Sequence, residues 1–225
     1  MADRAAPVLA AELIRWSWVG DHLDDIRDYL ILHVQLTVLA VLLGLLLAFP
    51  LSLAAIRWPR LYGPILGFTG MLFTIPSLAL FILLIPFTGL SVRTSLIGLT
   101  IYTLLILVRN IVEGLRGVDR DVREAAEAMG YTRGRQLFRV ELPLALPVIM
   151  AGVRIATVTT IGLVTITALI GQGGLGALFI NGFTLNFATP IVIGIVLSAL
   201  LAFAADLALV GVQYWLTPWA RGGGR

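Results

Sequence analysis

The sequence predicts an all-α integral membrane protein of about five membrane-spanning helices, and three observations carry that prediction. Of its 225 residues 59% are hydrophobic and 13% charged, whereas a soluble domain carries roughly a quarter charged residues. The apolar residues gather into five runs, and each approaches or exceeds the roughly 20 residues that one bilayer crossing needs. In hydrocarbon every backbone N–H and C=O must be paired within its own segment, so such runs form helices.

Taken in order, residues 1–28 read as an extracytoplasmic, partly interfacial arm. The start is not basic, and Asp21, Asp24, Asp25 and Asp28 stand where a signal peptide would be cleaved. Trp16 and Trp18 suit a membrane–water interface. The transmembrane domain is expected over 29–217, with runs at Tyr29–Ile56, Leu61–Phe87, Thr94–Val112, Val148–Ile170 and Pro190–Leu216. Pro76 removes a helical hydrogen bond and is expected to kink the second run. One long polar loop, 113–147, separates the third and fourth runs, and 218–225 forms a tail. The chain has no internal repeat.

Arginine placement orients these spans. Arg57 and Arg60 lie between the first two runs. Arg116, Arg120, Arg123, Arg133, Arg135 and Arg139 lie in the long loop, and Arg221 and Arg225 lie at the end. Five spans put all three groups on one side, which the positive-inside rule makes the cytoplasm. The N-terminus is then outside and the C-terminus inside.

Residues that are missing exclude several functions. The net charge of +3 rests on arginine, since the sequence has no lysine. A P-loop requires one in G-x-x-x-x-G-K-[ST], so the chain is no self-contained P-loop ATPase. It has no cysteine, no H-E-x-x-H helix and no suggestive Ser/His spacing, which argues against an intramembrane enzyme. His22 and His33 lack metal-ligand spacing; they read as interfacial, and no metal site is expected. A secondary transporter would use midplane carboxylates and often inverted repeats. Asp206 is the one carboxylate deep in a run, and no repeat accompanies it.

Within the polar loop, Asp121 and Glu124 read as a capping pair and Gly130 as a left-handed C′ residue. Val122, Ala125, Ala126 and Met129 share one face of the intervening short helix. Arg120, Arg123, Glu124 and Glu127 share the other. The pattern alone leaves open whether the apolar face packs on its own protein or receives a partner.

Glu124-Ala125-Ala126, then Gly130, then Val140-x-Leu142-Pro143 resembles the EAA loop of binding-protein-dependent ABC importer permeases, with Val140 where isoleucine is usual. The resemblance implies that Val122, Glu124, Ala125, Ala126, Met129, Gly130, Val140, Leu142 and Pro143 form a coupling loop that docks on an ATP-hydrolysing subunit. It further implies two copies of that subunit, a second permease chain (identical or related) and an extracytoplasmic substrate-binding protein. ATP and magnesium would sit on the partner, with no cofactor bound by this chain. The setting would be a bacterial inner membrane, with lipid around the chain and no nucleic acid. Thr74-Ile-Pro-Ser-Leu-Ala-Leu80, Val108-Arg-Asn110, Val140–Ile149 and Ala168–Gly176 resemble the permeases for glycine betaine, choline and carnitine. Ile106-Leu107 and Gln172 depart from that subfamily, which usually has proline near the former and alanine or glycine at the latter. A permease for methionine or another amino acid is the alternative.

Other candidates follow from charge and spacing. Asp206 should pair with Arg154 or Arg109, because ionisable groups inside a membrane are costly alone. Thr157, Thr160, Thr165 and Thr167, with Pro76 and Ser77, are candidates for the translocation path; close helix packing is the competing reading of the threonines. Gly171, Gln172, Gly173, Gly174 and Gly176 are candidates for an outer gate or a plain turn. Phe179, Phe183 and Phe187 repeat every fourth residue, which suits an interfacial helix better than a cation cage.

Overall fold

The computed structural model describes residues 14–221; expectations for residues 1–13 and for Arg225 lie outside the described residues. The described chain is all-helical, with ten α-helices: α1 Trp16–Asp21, α2 Leu23–Arg57, α3 Tyr62–Thr74, α4 Ser77–Thr88, α5 Val92–Arg116, α6 Arg120–Ala128, α7 Arg133–Gln136, α8 Leu142–Ile166, α9 Gly176–Thr184 and α10 Ala188–Leu216. Four helical stretches are long and apolar enough to cross a membrane, and α3 with α4 makes a fifth if the pair counts as one broken span.

The helix that carries the first run begins at Leu23, ahead of Tyr29. Asp24 and Asp25 occupy the first turn of α2, where carboxylates complement the helix dipole. The acidic cluster that looked like an arm therefore starts the helix. At 35 residues, α2 is about 52 Å long at 1.5 Å per residue, well beyond the roughly 30 Å of hydrocarbon.

The second run corrects the expectation more sharply. Pro76 does not kink one helix but divides two, which meet at 96°. The residue before a proline is pushed out of the α region, and Ile75 and Pro76 both have extended ψ, 128° and 132°.

The polar loop is shorter than expected. Residues 113–116 complete α5, and from Arg133 the chain is helical up to Ile170, so the helix that carries the fourth run starts well before Val148. A π-helical turn over Leu137–Glu141 leads into α8, and the Leu142 N–H reaches back to the Leu137 carbonyl. Pro143 has no N–H, and its ring opposes the carbonyl one turn back; a wider turn accommodates both.

The core is built around α5, whose most apolar stretch is 61% buried, while that of α10 is 6% buried. Leu104, Leu107, Val108, Ile111, Val112 and Leu115 of α5 pack with Val41, Ala48 and Ala55 of α2 and Ala145, Ile149 and Val153 of α8. A second cluster joins Leu36 and Ala40, Phe81 of α4, Leu99 of α5 and Val164 of α8. Helices α2, α4 and α8 thus all bear on α5, and the other face of α10 stands open.

Candidate functional site

Helix α6 projects from the end of the bundle where α5 stops and α8 begins. Its cap is Asp119, two residues before the one expected: the Oδ1 accepts from the Asp121 N–H at 2.9 Å. Glu124, expected in the cap, instead takes the Arg120 Nε–H at 2.6 Å, one turn back. At the other end Gly130 has φ +79°. The Gly130 N–H donates to Glu127 O at 2.9 Å and the Tyr131 N–H to Ala126 O at 3.1 Å, which is the Schellman pairing. Of the apolar face only Ala126 is buried. Val122, Ala125 and Met129 are exposed, Met129 at 68%.

Arg123, assigned with the solvent-facing charges by sequence, folds inward. Its Nη2 donates to the carbonyls of Leu115 (2.9 Å) and Arg116 (3.1 Å) at the end of α5 and of Val118 (2.8 Å) in the joint that follows. Further on, Val140 lies in the π turn and Leu142 and Pro143 open α8, all three half-buried.

Four threonines of α8 and of the turn after it donate to carbonyls three or four residues back. Thr157, Thr160 and Thr167 are buried and donate to Val153 O (2.8 Å), Ala156 O (2.7 Å) and Val164 O (2.7 Å); Thr165 donates to Gly162 O at 2.7 Å. In the single chain Thr157, Thr160 and Thr167 are therefore buried in helix packing. The half-exposed Thr159 lies along an open groove with Ile155, Val158, Ala202 and Phe203.

Beyond α8 the chain turns on Gly171, with φ +76°, and folds tightly back. Thr167 Oγ1 and the Gln172 carbonyl lie 2.8 Å apart. A Cβ on Gly176 would stand 2.1 Å from the Thr165 carbonyl oxygen. His33 of α2, expected at the interface, is fully buried under this segment. Its Nε2–H donates to Ile161 O at 3.0 Å, and its Nδ1 accepts the Leu175 N–H at 3.3 Å. One imidazole thus joins α2, α8 and the glycine segment, in the neutral tautomer these two bonds require.

At the α3–α4 break, Pro76 is exposed and Ser77 half-buried. The Ile75 carbonyl, left without a helical partner, accepts the Tyr102 hydroxyl of α5. Asp206 is held by Arg154 in a two-pronged pair, Nε–Oδ1 2.7 Å and Nη2–Oδ2 2.8 Å. Arg109 is not its partner; it bonds Glu113 of its own helix at 2.8 Å. The three phenylalanines do not converge. Phe187 is covered by the Arg15 guanidinium at 4.9 Å, Phe183 is exposed, and Phe179 abuts Gly194.

Sequence reasoning missed Asp119, Arg123, His33 and Tyr102 as organising residues. Two of them carried a signal: Asp119 is one of two aspartates able to cap α6, and Arg123 is a cation one residue from the motif and within reach of a helix end.

The family model described as the binding-protein-dependent transport system inner membrane component matches residues 40–221. The chain belongs to this family of ABC importer permeases. As a member it is a multi-pass inner-membrane translocation subunit without catalytic activity of its own. It is 37% identical over 188 residues to the carnitine transport permease protein OpuCB of Listeria monocytogenes, covering 84% of this chain and 86% of that one. It is 37% identical to the choline transport system permease protein OpuBB of Bacillus subtilis (83% and 86%), and 39% identical to the osmoprotectant import permease protein OsmW of Salmonella typhimurium (83% and 89%). The permease fold matches that of the inward-facing MetNI methionine ABC transporter with a TM-score of 0.76 at 21% identity, over 90% of this chain and 98% of that one.

Proposed function

We propose that this permease carries betaine-type osmoprotectants inward, with α6 seated on a partner ATPase. The observation that carries the coupling role is the bare apolar face of α6. Val122, Ala125 and Met129 stand exposed on a helix that is capped at both ends and held in place by its own protein. Two copies of the ATPase, each with ATP and magnesium, dock on two permease chains, and an external binding protein delivers the solute. The arginines of 57–60 and of the long loop set the α6 end in the cytoplasm and the glycine segment outside. The path runs between the two chains, past the broken span at Pro76 and Ser77. Interrupted helices of this kind line substrate sites in other transporters. The Gly171–Gly176 segment closes its outer end.

The substrate class rests on the carnitine, choline and osmoprotectant relatives. A quaternary ammonium carries a permanent charge and has no N–H to donate, so it needs a weakly polar path and no carboxylate trap. The one carboxylate deep in the spans, Asp206, is already neutralised by Arg154. The test is ATP-dependent uptake of labelled glycine betaine, choline, carnitine and methionine by the complex reconstituted with its binding protein. Uptake of at least one of the first three is expected. Uptake of methionine alone would overturn the substrate class and leave the coupling role standing.

A further inference from the structure

We infer that Arg123 is the rigid tie through which α6 moves the membrane helices, an inference that rests on the docking role of α6. Between α5 and α6 lie only Gly117, Val118 and Asp119, a joint that glycine leaves pliable. The last carbonyls of a helix have no partner within it, and the helix dipole makes them attractive to a cation. Arg123 meets both conditions. It bonds Leu115, Arg116 and Val118 with one nitrogen at 2.8–3.1 Å. Its Nε is buried with no partner among the described residues, so the contact rests on this one set of bonds.

The geometry divides α6 into two working sides. Val122, Ala125 and Met129 face away from the bundle, while Arg123 grips it. The helix gripped is α5, the most buried of the spanning helices, against which α2, α4 and α8 all pack. A displacement of α6 is therefore delivered to the centre of the fold. With the guanidinium gone, α6 still presents its docking face and keeps the packing of Ala126 and its contacts with α7 and the π turn, but it loses its bonds to the end of α5, so less of its motion reaches α5.

The test compares R123A, R123K and V122D in the full complex, by co-purification of the ATPase and by solute taken up per ATP hydrolysed in proteoliposomes. R123A is expected to retain the ATPase, while transport per ATP falls by about tenfold, in keeping with the loss of charge-assisted hydrogen bonds. R123K should recover part of it, since an ammonium reaches some of the same carbonyls without the planar fork. Unchanged transport per ATP in R123A overturns the inference, and so does loss of the ATPase from R123A. If R123A does not accumulate, R123Q is read by the same ratio and against the same two outcomes. V122D is the separate control, because if it keeps the ATPase and full uptake, the docking role itself fails.

Discussion

Gly130 and Asp206 show what single side chains contribute. At φ +79° a Cβ on Gly130 meets nothing within 4 Å, so substitution costs backbone strain and no clash, about 1–2 kcal/mol for an ordinary L-residue. Gly130→Val is expected to reach the membrane normally yet bind less ATPase and transport less, whereas Gly130→Asn retains most function because asparagine visits the left-handed region. Wild-type transport by the valine variant would remove the docking assignment. Asp206→Asn strips Arg154 of its counter-charge and should lower thermal stability in detergent. Exchanging the two residues, Arg154→Asp with Asp206→Arg, should restore part of that loss. Both sites were partly legible in the sequence. A glycine ending an amphipathic stretch announces its own φ, but two aspartates two residues apart are equal candidates for a cap, and local pattern did not choose Asp119. Likewise Asp206 needed an arginine, and only the fold brings Arg154 to it and turns Arg109 toward Glu113.

At the scale of elements, the breaks matter more than the spans. Tyr102 supplies the hydrogen bond that the Ile75 carbonyl lost when Pro76 ended α3. Tyr102→Phe leaves that carbonyl unpaired and should cost about 1–3 kcal/mol, read as a lower unfolding midpoint; no change would mean that another donor replaces the hydroxyl. The glycine segment is held as tightly. Gly176→Ala places a methyl against the Thr165 backbone and should abolish transport or folding, while Gly162→Ala, with open space at its Cβ, should do neither. The position of the α3–α4 break was legible from Pro76, but its 96° angle was not, because a proline reveals a missing hydrogen bond and not what replaces it. His33 was misread because it sits in an apolar run with no partner nearby in sequence. Its partners, Ile161 and Leu175, lie 128 and 142 residues away.

For the whole molecule, the all-helical class and four or five candidate spans could be read from hydropathy, since hydrocarbon allows few alternatives. Their lateral arrangement could not, because lipid-facing and core-facing residues are equally apolar. Ile195, Leu200 and Phe203 of α10 stay exposed, while equally apolar Leu99, Leu107 and Ile111 of α5 are buried. The orientation lends itself to a direct check because the chain has no cysteine. Gly20 and Gly134 are exposed, with nothing within 4 Å of an added Cβ. Gly20→Cys is expected to react with a membrane-impermeant thiol reagent in intact cells, and Gly134→Cys only after permeabilisation. The reverse pattern would invert the topology.

The break at Pro76 also bears on how the protein is made. Helices α3 and α4 have 13 and 12 residues, about 20 Å and 18 Å at 1.5 Å per residue, each short of the roughly 30 Å of hydrocarbon. Neither can leave the insertion machinery as a finished span, and the carbonyl exposed between them waits for a hydroxyl 27 residues further along the chain. That carbonyl can be paired only once α5 has been made, so Tyr102→Phe is expected to lower the yield of membrane-inserted chain as well as the stability of the mature protein, measured as full-length protein in the membrane fraction; an unchanged yield would confine the role of Tyr102 to the finished fold.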